Sequence, residues 1–141
     1  NLGVMYAQGN GIPEDDAEAV RWYGLSARQG YVFAQFDLGV MYSRGEGVPE
    51  DDAEAVHWYR LAAEPGDALA QTNLGFMYAS GDGVPRDLVF AYMWFSLSAA
   101  QGNETAQSNN EKIEQVMTRE QIAEAQRMST KWIEAHPPDG K

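Results

Sequence analysis

The sequence predicts an all-α solenoid built from antiparallel helix pairs. Three observations point there: a 36-residue internal repeat, two amphipathic helical stripes in every repeat, and glycine- and proline-rich turns at fixed places between them. Shifting the 141-residue chain by 36 brings Leu2-Gly3-x-Met5-Tyr6 onto Leu38-Gly39-x-Met41-Tyr42 and then onto Leu74-Gly75-x-Met77-Tyr78. Residues 1–30 match residues 37–66 at 20 of 30 positions. Shared helical composition does not produce that, so the repetition decides the fold class ahead of local propensity.

Each unit holds two helices. Ala34, Leu38, Met41 and Tyr42 follow the i, i+4, i+7, i+8 spacing of one buried helix face, and Ala55, Trp58, Tyr59 and Ala62 do so again. Between them runs Gly45-Glu46-Gly47-Val48-Pro49-Glu50-Asp51, with counterparts at 9–15 and 81–87, a composition suited to a tight turn. A turn so short makes the two helices antiparallel neighbours. Asp51 with Glu54, and Asp15 with Glu18, predict an aspartate form of the capping box; Asp87 has Phe90 in the matching place and predicts a cap without the box. Gly30, Gly66 and Gly102 end the second helices where a left-handed residue lets the chain reverse.

Gly3, Gly39 and Gly75 sit inside first helices, where glycine costs about 1 kcal/mol in propensity. Close approach of the partner helix offsets that cost, with Trp22, Trp58 and Trp94 expected to press into the gap. The domain reading is three repeats over 1–102 (about 1–30 partial, 31–66 and 67–102), a degenerate terminal unit with a capping helix over 103–136, and a flexible tail over 137–141. In the terminal unit Ala106 keeps the Ala34 and Ala70 column, while Glu111-Lys112 and Glu114-Gln115 stand in for the Leu-Gly and Met-Tyr columns. Thr118-Arg119-Glu120-Gln121 reads as a capping box opening a last helix. One face of that helix carries Ile122, Ala125, Ser129, Trp132 and Ile133, and the charged residues lie elsewhere, as expected of a helix that closes a solenoid.

Composition narrows the function classes. The chain has no cysteine and a formal net charge of -11, which removes thiolate chemistry and repels nucleic-acid phosphates and anionic head groups. No nucleic-acid partner and no membrane insertion are expected, since no apolar run approaches the roughly 20 residues of a spanning helix. The opening Asn1-Leu2-Gly3 reads as the middle of a helix and hence as a fragment missing its natural start. Leu2, Met5 and Tyr6 would then expose an apolar face able to drive dimers.

The columns Leu-Gly-x-Met-Tyr, Gly-x-Gly-Val-Pro-x-Asp, Ala-x-x-Trp and Ala-x-x-Gly closely resemble the Sel1-like repeat, a relative of the tetratricopeptide repeat with a longer turn. Three copies cover residues 1–102, and Met117 to Trp132 resembles the terminal helix of bacterial members. The resemblance implies a right-handed superhelix and a scaffold or adaptor role toward a partner protein or peptide. It favours a bacterial envelope or periplasmic setting over the cytoplasm. It also raises an alternative, a hydrolase or β-lactam-binding activity linked to cysteine-rich relatives, although this chain lacks their cysteines.

By resemblance to tetratricopeptide grooves, partner-contacting residues would lie on first helices between the structural columns, lining a concave side. These are Val4, Gln8, Phe33, Phe36, Val40, Arg44, Leu69, Thr72, Phe76 and Ser80. The competing reading places Val4, Val40 and Phe76 in the core between repeats. The acidic runs Glu14-Asp15-Asp16 and Glu50-Asp51-Asp52 are explained by capping and the helix dipole, and no calcium-loop pattern is present, so neither metal nor cofactor is expected. His57 shares a column with Arg21 and Met93, His136 ends the last helix, and the sequence contains no His-Glu-x-x-His, phosphate loop or nucleophile elbow. A non-enzymatic role is the expectation.

Overall fold

The computed structural model describes residues 16–137. Val4, Gln8, Asp15 and the apolar face of Leu2, Met5 and Tyr6 lie outside the described residues, as do 138–141. Among the described residues all regular structure is helical: α1 (Asp16–Arg28), α2 (Val32–Arg44), α3 (Asp52–Ala63), α4 (Ala68–Ser80), α5 (Leu88–Ala99), α6 (Glu104–Ile113) and α7 (Arg119–Ala135). The chain divides into two units, residues 1–62 and 63–141.

In the first unit α1 lies against α2. Ala19, Tyr23 and Ala27 of α1 meet Ala34, Leu38 and Met41 of α2 in one buried cluster, flanked by Val20, Tyr42 and Trp58. Alternation of alanine with larger side chains lets the helices approach and still interdigitate. α2 closes with Gly45 in the left-handed conformation (φ 70°), whose N–H, like that of Glu46, donates to the Met41 carbonyl. Asp51 then starts α3 by accepting the Glu54 amide at 3.1 Å. The expected box does not close there, because the Asp51 amide donates instead to the Tyr42 carbonyl at 2.9 Å. That bond satisfies an orphan acceptor in the last turn of α2 and ties the turn's two ends together.

The second unit repeats the arrangement. Asp87 accepts the Phe90 amide at 3.1 Å and donates its own to the Tyr78 carbonyl at 2.9 Å, a cap without a box, as the sequence predicts. α5 is apolar on nearly every side because it packs on α4, α6 and α7 at once. Tyr92, Met117 and Ala125 form a cluster there with Leu88, Val89, Ile113 and Ile122. The capping box that opens α7 is complete: Thr118 Oγ1 accepts the Gln121 amide at 3.0 Å, and Gln121 Oε1 accepts the Thr118 amide at 2.9 Å.

Three expectations need correction. The aromatic ring pressed against the α2 glycine belongs to Tyr59 and that against the α4 glycine to Phe95, so each is the residue after the tryptophan. Consecutive helical residues point about 100° apart, and only one of the two can face the glycine. The indoles of Trp22 and Trp58 are half-buried and their Nε1 atoms have no hydrogen-bond partner among the described residues.

In the terminal unit the Leu column falls on buried Asn110, which donates to Ser96 Oγ at 2.9 Å, and the Met column on half-buried Ile113. The apolar stripe therefore persists one residue earlier than expected. On α7, Ile133 is exposed although it continues the stripe of Ile122, Ala125 and Ser129, so the buried face ends before the helix does.

Candidate functional site

The described candidates lie on two first helices at matching spacing. On α2, Phe33, Phe36, Val40 and Arg44 fall at i, i+3, i+7 and i+11, which draws one stripe along the helix. Phe33 is 79% exposed. Phe36 is half-buried with its ring tilted against Tyr59 at 5.8 Å between centroids. Val40 is also half-buried, and Arg44 is exposed. The stripe thus grades from solvent at Phe33 into the α2–α3 contact at Phe36.

On α4 the same positions are Leu69, Thr72, Phe76 and Ser80. Leu69 is 56% and Phe76 41% exposed, and the Phe76 ring stands edge-on to Phe95 at 5.3 Å. Ser80 is exposed; its hydroxyl lies 2.9 Å from the Phe76 carbonyl and 2.8 Å from the Asp82 carboxylate, to either of which it can donate. Thr72 does not belong to this surface. It is buried, and its hydroxyl meets that of Ser98 at 2.7 Å. Because Ser98 donates to the Ala68 carbonyl at 2.8 Å, the Thr72 hydroxyl must be the donor to Ser98 Oγ.

Sequence reasoning missed a second column. Gln35 and Gln71 are buried and each donates through Nε2, at 3.2 Å, to a carbonyl at the end of the preceding helix, Ala27 and Ala63 respectively. A glutamine 36 residues from another glutamine was a visible signal for it. Exposed Leu25, Tyr31, Phe90 and Val116 were also not foreseen.

Titration behaviour is perturbed at two tyrosines. Burial, then the hydrogen bond to Glu114 at 2.5 Å and its charge, push the Tyr92 phenol up to about 12. Burial and, secondarily, Asp37 push Tyr23 upward. His57 stands edge-on to Trp58 at 5.0 Å, and His136 stacks on Trp132 at 3.9 Å with Nδ1 2.8 Å from the Trp132 carbonyl. Both histidines are thus placed by aromatic neighbours, and the second also closes a helix end. Among the described residues no group of three His, Cys, Asp or Glu side chains could hold a metal ion, and no helix is long and apolar enough to cross a membrane.

Paired helices recurring at a fixed period, with glycine turns and aspartate caps at equivalent places, define a helical-repeat protein of the α-solenoid class. The Sel1 repeat family model matches residues 1–31, 32–67 and 68–103. The chain belongs to the Sel1 repeat family. Two solved bacterial structures are similar to it. A Sel1 repeat protein from Oxalobacter formigenes is 33% identical with a TM-score of 0.77, over 79% of this chain and 46% of that one. A protective antigen present in uropathogenic Escherichia coli strains, displaying the Sel1-like-repeat fold, is 40% identical with a TM-score of 0.82, over 96% of this chain and 28% of that one. The chain therefore spans less than half the length of either. No curated protein matches it. Members of this family generally serve as protein–protein interaction scaffolds and are typically not enzymes.

Proposed function

We propose that the chain is a non-catalytic binding module that captures a partner protein or peptide through its first-helix stripes, Phe33, Phe36, Val40 and Arg44 on α2 and Leu69, Phe76 and Ser80 on α4. The observation that carries this is the exposure of Phe33: a phenylalanine 79% open to water makes no contribution to the core it adjoins. Leu69, 36 residues on, is 56% exposed. Two large apolar side chains displayed at one repeat position fit the anchor role that helical repeats give to their first helices.

Affinity capture from bacterial extract with wild type and with Phe33→Ser plus Leu69→Ser tests the reading. Both substitutions are at exposed sites, so the helical circular-dichroism signal stays unchanged while specific capture falls at least tenfold. Equal capture by the variant refutes the stripe as the binding surface.

A further inference from the structure

The first unit contains a cleft of about 200 Å³ that the repeat pattern does not call for. It lies at Gly24, buried on α1, where an added Cβ would meet no atom of the described residues within 4 Å. The other copies carry Arg60 and Ser96 at this position; in the second unit Ser96 accepts from Asn110 at 2.9 Å, a contact that glycine leaves out here. Val20, Leu38, Tyr42 and Trp58 give the cleft its apolar surface, and Arg28 and Glu54 supply charge. The third lining charge, Arg21, is bound to Glu18 and lies over the Trp22 ring at 5.9 Å. Among the described residues, neither Arg28 nor the Glu54 carboxylate has an ion-pair partner.

Size and charge together limit the occupant. Small-molecule pockets run to roughly 300–1,000 Å³, and this cleft is smaller, fitting one side chain of leucine size. Buried anchor residues seated in such pockets dominate protein interfaces. The free cation and free anion on the lining complement a ligand that carries the opposite charges beside its apolar group. We propose that the cleft receives a single leucine-sized anchor from a partner peptide, with a carboxylate next to the anchor meeting Arg28 and a cation on its other side meeting Glu54. The assignment rests on the binding-module reading and gives the partner its local chemistry: apolar, flanked by opposite charges.

The test uses the full chain, ¹⁵N-labelled, titrated with N-acetyl-Lys-Leu-Glu-amide and its Glu-Leu-Lys counterpart, with N-acetyl-Ser-Leu-Ser-amide, and with free leucine. At least one charged tripeptide should shift the Gly24 and Leu38 amides and the Trp58 indole saturably, several-fold tighter than the uncharged one. Gly24→Leu fills the cleft and should abolish these shifts with no loss of melting temperature. Shifts that survive Gly24→Leu, binding indifferent to charge, or no perturbation at these three residues overturns the proposal. Free leucine binding tighter than every tripeptide also overturns it, in favour of an amino-acid site. None of these readouts involves Phe33 or Leu69, so failure here and failure of the stripe are separable: partner capture lost in Phe33→Ser plus Leu69→Ser but intact in Gly24→Leu sinks the cleft alone.

Discussion

Alanine placed at two helix-interior glycines should move stability in opposite directions. At Gly75 an added Cβ would lie 2.7 Å from Phe95 Cε1 and 2.8 Å from Cδ1, where ordinary contact begins at 3.4 Å, a shortfall of 0.7 Å. Phe95 is 1% exposed and among the largest fully buried side chains, so its ring has nowhere to retreat. Overpacking of this kind costs about 1–3 kcal/mol, and the helix-propensity gain of replacing glycine by alanine returns about 1 kcal/mol. The net is a loss of about 0–2 kcal/mol, centred near 1. At Gly24 the Cβ meets nothing among the described residues, so the propensity gain stands alone at about 0.8–1 kcal/mol. For a chain of this size each kcal/mol corresponds to about 3–5 °C of melting temperature. Thermal melts followed at 222 nm should therefore place Gly24→Ala about 3–4 °C above wild type and Gly75→Ala a similar distance below. A Gly75→Ala variant melting above wild type, as Gly24→Ala should, would refute the claim that these glycines exist to admit the facing ring. Gly39→Ala, opposite Tyr59 at the same 2.7 Å, should follow Gly75→Ala.

Three further outcomes follow from the second unit. Thr118→Ala removes the α7 cap bond to Gln121 and should cost about 1 kcal/mol by urea denaturation; no change in midpoint would mean that α7 docks without its cap. Ser98→Ala leaves the Thr72 hydroxyl without its acceptor and takes the second donor from the Ala68 carbonyl, and should cost about 1–3 kcal/mol, whereas Thr72→Val leaves the Ser98–Ala68 bond intact and should cost less; equal losses would reverse the donor assignment. Tyr92, raised from 10.0 to about 12 in the folded chain, binds its proton more tightly folded than unfolded. Its contribution is complete below pH 10 and disappears as pH rises from 10 to 12, so stability should fall across that window and Tyr92→Phe should flatten the fall.

How much of this was legible in the sequence depended on which residues the repeat shares. Gly39 and Gly75 recur because a facing ring leaves no room for a Cβ, the turn glycines and the aspartates at 51 and 87 because turning and capping need them, and a fixed period exposes those demands without any structure. Which aromatic faces the glycine was not legible. Trp58 and Tyr59 recur together, and periodicity alone does not say which of two adjacent columns points inward. The same limit hid the fate of Thr72, whose hydroxyl is drawn inward by Ser98, a partner 26 residues away. The capping box at Asp51 failed for a related reason: the sequence shows a glutamate three residues on but not the Tyr42 carbonyl that takes the amide first.

Function in a repeat protein is better sought where the copies disagree. A column held constant is under the common demand of packing, which acts equally on every copy. A column that varies is free of that demand, and what fills it in one copy answers to something local. Gly24, Arg60 and Ser96 share one such column; in another Glu18 and Glu54 agree and Phe90 departs. In the second unit Phe90 stacks on Tyr78 at 5.2 Å and covers that ring. In the first, Glu54 lines a cleft beside Tyr42 that Gly24 leaves open. Gly24 is thus the one lining position of that cleft at which the first unit departs toward open space, while the second unit's own departure, Phe90, covers the matching ring, which is the reason to test Gly24 before any residue of the shared columns.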